Sequence, residues 1–258
     1  MALNRGIGDW HGQRVWLIGA SSGIGAALAQ ALYARGARVA LSARRAAVLE
    51  QQLLLLDGDR ACALPLDVTD AAGVAAAEQT LHTRWGGYDL VVMLAGDYRP
   101  QTIAEFSLAS IQHTLATNLG GVYNILAAVL PRLRAARQGG LVLVSSVAGY
   151  RGLPRSLAYG PSKAALNNLA EALYLELKGE GIAVTLVNPG FVRTPLTADN
   201  PFPMPAIMDV EPAAAAIVAG LERGAFEIHF PHRFTYVMKT LALLPAALYL
   251  PLLRWLTR

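Results

Sequence analysis

Short apolar runs alternate along most of this chain with longer stretches in which apolar side chains recur every three or four positions. The runs are Arg14–Ile18, Val39–Ser42, Ala61–Leu64, Leu90–Leu94, Leu141–Val144 and Ala183–Val187. Continuous apolar segments of that length suit strands buried on both faces, as in a parallel sheet. Between them, helical spacing covers Ile24–Arg35, Ala46–Leu56, Ala71–Trp85, two stretches within Leu108–Arg137, and Ala158–Lys178. Gly36 is placed to close the first helix in a left-handed conformation. Strands alternating with long helices predict βαβ units with right-handed crossovers. The expected class is α/β, a doubly wound parallel sheet flanked by helices. With no repeat, linker or second core in the pattern, residues 1–258 are expected to form a single domain.

The alternation loosens after Pro189. Residues 195–212 hold five prolines and several apolar side chains. A Pro-rich apolar insertion past the carboxyl end of a strand reads as a substrate lid, with an ordinary crossover linker as the alternative. The last stretch, 234–258, contains an uncharged apolar run from Thr240 to Leu253, too short for a bilayer span of about twenty residues. Pro245 and Pro251 are expected to interrupt it. Lys239, Arg254, Trp255 and Arg258 flank it in the manner of an interfacial anchor. Three readings stay open for this helical extension: a cover over the pocket or a subunit interface, a segment lying in a membrane surface, or a core helix.

Composition narrows the classes. Apolar residues make up 54% and charged residues 16%, which excludes long disordered stretches. The net charge of +4 comes without a Lys/Arg run or stacking aromatics, so no nucleic acid partner is expected. Cys62 is the single cysteine. It excludes an internal disulfide framework and a cysteine-cluster metal site, and no metal is expected. The first ten residues lack an apolar secretion core, so a cytoplasmic location is expected, peripheral at a membrane if the extension binds one.

Chemistry is concentrated at two places. Gly19-Ala-Ser21-Ser22-Gly23-Ile24-Gly25 joins the first strand to the first helix. Glycines there permit a tight turn and let backbone N–H groups approach a pyrophosphate at the helix N-terminus. Past the second strand stands Arg44, with no carboxylate to repel a 2′-phosphate, so NADP is preferred over NAD. Asp67, followed by Val68, can accept from an adenine amino group or cap the next helix. The second place is Tyr159-Gly-Pro-Ser-Lys163. A Tyr and a Lys four apart share a helix face, where an ammonium favours the charged form of the phenol. Such a pair suits acid/base exchange between a carbonyl and an alcohol.

Taken in order, these motifs resemble the short-chain dehydrogenase/reductase family over residues from about 12 to 230, and that resemblance implies a Rossmann-type fold. It implies that Tyr159 is the catalytic acid/base and that Ser146 orients the substrate oxygen. Lys163 would hold the nicotinamide ribose and lower the Tyr159 pKa, while Asn118 would hold a water in a proton relay. Gly19 to Gly25, Asp67, Val68, Ala95 and Gly96 would line the nucleotide, and Pro189, Gly190, Val192 and Thr194 the nicotinamide. Strand alternation turns Ser145 away from the site that Ser146 faces.

Two positions depart from the pattern. Met93-Leu94-Ala95-Gly96 stands where many relatives carry Asn-Asn-Ala-Gly, and Ser21 and Ser22 leave no basic residue in the glycine turn. The resulting expectation is an NADP(H)-dependent enzyme interconverting a small, lipophilic secondary alcohol and a ketone, assembled as a homodimer or homotetramer. The alternatives are an epimerase or dehydratase, or a nucleotide-sensing or scaffold protein on the same fold.

Overall fold

The computed structural model describes residues 2–56, 59–198, 200 and 202–256. The parts of the expected lid and extension that fall on Asp199, Pro201, Thr257 and Arg258 lie outside the described residues. Strands β1 (Arg14–Ile18), β2 (Arg38–Ser42), β3 (Ala61–Ala63), β4 (Leu90–Met93), β5 (Gly140–Val144), β6 (Ala183–Pro189) and β7 (Glu227–Phe230) form one parallel sheet. Their order is β3-β2-β1-β4-β5-β6-β7.

The helices are α1 (Gly23–Ala34), α2 (Ala46–Leu55), α3 (Ala71–Trp85), α4 (Leu108–Leu115), α5 (Gly121–Ala136), α6 (Tyr159–Leu177), α7 (Val210–Glu222), α8 (His232–Leu243) and α9 (Ala246–Leu256). Alternate residues of a strand point to opposite faces, and each face has its own core. Val15 and Leu17 pack with Leu28, Leu32 and Ile217 of α1 and α7. Trp16 and Ile18 pack with Leu81, Ile125 and Leu166 of α3, α5 and α6. Burial on both sides is why these strands are continuously apolar.

Chain direction reverses its walk across the sheet between β1 and β4, where ligands bind in folds of this type. Ile18 is level with both Ser42 and Met93, so three loops leave the sheet at one edge around that crevice.

The end of the chain is more regular than its pattern predicts. Helix α7 begins at Val210, so residues 210–212 of the expected lid are helical. Pro212 fits in the first turn, where its missing N–H has no intrahelical role. The seventh strand escapes the pattern because Glu227 and His229 alternate with Ile228 and Phe230 at the sheet edge. Between α4 and α5, residues Ala116–Gly120 form a π turn, which joins the two expected helical stretches.

Pro245 does separate α8 from α9, its carbonyl accepting from the N–H groups of Leu248 and Tyr249 at 2.9 and 3.0 Å. Pro251, in contrast, is carried inside α9. The carbonyl of Ala247, which loses its donor there, is on an exposed residue that water can serve.

Candidate active site

The turn after β1 is shaped for close backbone approach. Gly19 has φ +103°, and a Cβ on it would stand 2.5 Å from the Ala95 nitrogen. Gly23 has φ +58°, with Thr194 Cγ2 2.9 Å from a Cβ built there. Ser22 occupies the N-cap of α1 without a side-chain cap, and no acidic residue stands in the first turn. The leading N–H groups and the helix dipole therefore face a cavity of about 840 Å³ with no protein anion on them. This arrangement fits a dinucleotide pyrophosphate.

All the nucleotide residues expected from the sequence line that one cavity: the 19–25 turn apart from Ala20, then Arg44, Asp67, Val68, Ala95, Gly96, Pro189, Gly190, Val192 and Thr194. Arg44 and Arg45 are both exposed at its rim. The alternative for Asp67 is closed, because Asp70 caps α3 by accepting from the Ala72 N–H at 3.1 Å. Asp67 Oδ1 instead accepts from Thr69 N and Oγ1 at 2.9 and 2.8 Å, bonds that hold its carboxyl below its ordinary pKa.

Ser146, Tyr159 and Lys163 meet at the other end of the cavity. Ser146 follows β5 and Tyr159 opens α6, so sheet and helix fix the two hydroxyls independently. Burial pushes the Tyr159 phenol up to about 12, with the Ser146 hydrogen bond pulling down and Tyr98 pushing up. The expected lowering by Lys163 is absent from this balance. Lys163 Nζ donates to the Val144 carbonyl at 2.9 Å and lies 5.5 Å from the Tyr159 ring centroid. Burial pushes its own pKa down to about 8, so the ammonium is itself weakened. Ser145 also lines the cavity, but its hydroxyl is committed to the Lys163 carbonyl, to which it donates at 2.9 Å.

Asn118 is fully buried in the π turn behind this group. Its Nδ2 donates to the Asp97 carbonyl at 2.9 Å and to Ser162 Oγ at 3.0 Å, while Oδ1 accepts from Asp97 N at 2.6 Å. The side chain thus clamps the strand exit after Gly96.

The lowered Lys163 pKa has a definite sign for stability. In the cofactor-free protein the folded state binds fewer protons than the unfolded chain between pH about 8 and 10.5. Stability should therefore rise with pH through that window, by an amount on the order of 3 kcal/mol. Tyr159, held at about 12 against an ordinary 10, opposes this only above pH 10. Lys163→Met should flatten the pH dependence of urea midpoints between pH 8 and 10; an unchanged slope would assign it to other groups.

Several contacts escape sequence reasoning. Tyr98 meets the Tyr159 ring edge-on, with centroids 4.8 Å apart. Phe191 has its ring centroid 6.0 Å from that of Phe202, in the 195–212 segment, and 5.4 Å from that of Phe234 of α8, so that segment and the extension converge beside Gly190. His113, whose Nε2 is 3.8 Å from Asp97 Oδ1, also lines the cavity. Its signal was available: His113 and Thr117 share a helix face one residue before Asn118.

The extension docks on the loop following Ser146. Glu227 accepts from Tyr150 Oη, Asn188 Nδ2 and Lys239 Nζ at 2.6, 2.9 and 2.6 Å. Arg151 donates to the carbonyls of Ala242 and Leu244, and Tyr249 Oη to the Gly152 carbonyl at 2.8 Å.

The profile of the short chain dehydrogenase family matches residues 13–202. This chain belongs to that family. A short-chain dehydrogenase crystal structure from Burkholderia cenocepacia, in complex with NADP, superposes with a TM-score of 0.82 at 28% identity, covering 95% of this chain and 99% of that one. An uncharacterized oxidoreductase of Myxococcus xanthus is 38% identical over 236 residues, 90% of this chain and 92% of its own. The 2,3-dihydro-2,3-dihydroxybenzoate dehydrogenase of Escherichia coli is 36% identical over 186 residues, 72% of each chain. This short-chain dehydrogenase is accordingly an NAD(P)-dependent oxidoreductase acting on CH–OH groups. Its fold is the Rossmann-type sheet expected from the strand–helix alternation. Among the described residues, no helix is long and apolar enough to cross a membrane.

Proposed function

We propose that this enzyme interconverts a ketone and a secondary alcohol with NADP(H), Tyr159 acting as the acid/base. The observation that carries the reading is the meeting of Ser146, Tyr159 and Lys163 on the wall of the cavity that the glycine turn opens. When bound, the nicotinamide supplies or takes up hydride. Ser146 and Tyr159 donate to the substrate oxygen and stabilise the charge that gathers there. With its pKa at about 12 the phenol keeps its proton at neutral pH, which suits donation to a ketone. Lys163 and Asn118 fit beneath it as ribose holder and relay support.

Phe191, Phe202 and Phe234 support an apolar substrate, since they pack together next to Gly190 on the cavity wall and place rings rather than charge there. Assembly as a cytoplasmic homodimer or homotetramer, with residues 1–258 as one domain, rests on the resemblance and the chain pattern. The test is consumption of reduced nicotinamide against a panel of ketones. Absence of turnover with every carbonyl and alcohol tried would overturn the assigned reaction.

Preference for NADP is supported by Arg44 at the cavity rim and by the lack of a carboxylate at the end of β2. Arg44→Asp should reduce the NADP over NAD preference by about tenfold or more, the range of one charge-assisted phosphate contact. Its check is kcat/KM with each cofactor. An unchanged ratio would move the phosphate contact to Arg45.

A further inference from the structure

The outer surface of α8 and α9 is apolar and basic, and neither helix contributes that surface to the site. Leu243 is 85% exposed and Trp255 70%, with Leu248 and Leu250 near 60%. On α9 the inward stripe is Tyr249 with half-buried Leu252 and Leu253, leaving Leu248, Leu250, Trp255 and Arg254 on the outer arc. Residues 232–258 contain four Lys/Arg and no Asp or Glu. Of these, Arg233 and Arg254 are exposed on the hairpin, while Lys239 is paired with Glu227 and Arg258 lies outside the described residues.

We propose that the α8–α9 hairpin docks the enzyme on an anionic lipid surface. The charge decides between occupants. A second copy of the hairpin would bring arginines against arginines, whereas acidic headgroups complement them. The helices have 12 and 11 residues, too short to span, and their apolar arc with a flanking Trp and Arg is suited to lie at the headgroup boundary. The inner side is anchored through Lys239 on Glu227 and through Tyr249, so lipid would meet a preformed surface. Phe234, on the same α8, stands beside Gly190 at the site, so docking would set the mouth of the pocket near the lipid. This inference concerns location and is independent of the reaction assigned to Tyr159.

The experiment is cosedimentation of the full chain with phosphatidylcholine vesicles, with and without phosphatidylglycerol, alongside sedimentation velocity without lipid. Wild-type protein should pellet with the phosphatidylglycerol vesicles and less with phosphatidylcholine alone, and added salt should weaken it. Leu243→Glu/Leu250→Glu should lower partitioning by more than about tenfold, with oligomeric state and turnover unchanged. Arg254→Glu, a milder change at a helix end, should lower it several-fold. The proposal is overturned if wild-type ignores both vesicles or if the variants bind as well as wild-type. It is also overturned if the double variant loses vesicle binding only together with its oligomer, which would make this face a subunit contact.

Discussion

Tyr159→Phe is expected to reduce kcat about a thousandfold while the dissociation constant for NADP changes less than about threefold. In the proposed reaction the phenol oxygen is where the proton leaves or arrives, and Phe fills the same space without it. Packing should survive, because Tyr98 contacts the ring edge-on and Lys163 bonds to Val144 rather than to the phenol. Structure and cofactor cradle therefore stay in place while the proton donor is lost. Single-turnover kinetics with a cofactor titration will separate the two quantities. Retention of more than about a tenth of wild-type kcat would show that Ser146 or water carries the proton.

Gly19→Ala should be the most damaging small substitution in the nucleotide turn. A φ of +103° is strained for any residue with a Cβ, and the added carbon would stand 2.5, 2.7 and 2.8 Å from Ala95 N, Leu94 C and Ala95 Cα. Those are backbone atoms at the exit of β4, where Leu94 and Ala95 N–H groups both bond to the Ile18 carbonyl at 2.8 Å. They cannot move aside as a flexible side chain would. A loss of about 3 kcal/mol or more is expected, which lowers the melting temperature of a chain this size by about 6–12 °C. NADP affinity should collapse with it, because the turn is displaced from the pyrophosphate. A melting point within about 2 °C of wild-type would show that the turn relaxes.

What the sequence reveals and what it withholds follow from where each residue's partners lie. Strands such as β1 and β5 are legible because both faces are covered, which leaves a continuous apolar run. Strand β7 is hidden because its outward face carries Glu227, whose partners Tyr150, Asn188 and Lys239 are distant along the chain. The π turn at Asn118 is equally silent, since Ala-Thr-Asn-Leu-Gly has no periodicity of its own. At the site, Ser146, Tyr159, Lys163 and the glycine turn stand in short motifs with chemical reasons for their spacing. Tyr98, Phe191 and Phe234 do not, because their roles arise only once loop, lid and α8 are brought together. The pKa of Tyr159 shows the same limit. Helical spacing places Lys163 near the phenol, but the Val144 carbonyl that captures its ammonium belongs to another strand.

Glu227 gives the C-terminal hairpin a second meaning for anyone who shortens this chain. Its carboxylate is held by one group from β6, one from the loop after Ser146 and one from α8. A truncation that ends at β7 removes Lys239 and leaves a half-sheltered anion one donor short, beside the loop that carries Ser146. It also strips the carbonyl partners from Arg151 and the ring that its guanidinium covers at 4.3 Å. Activity lost on such a cut would report a disordered serine loop as readily as a missing tail. The cleaner instrument is the full chain altered only on its outer arc, in which the Glu227 contacts between edge strand and serine loop are left whole.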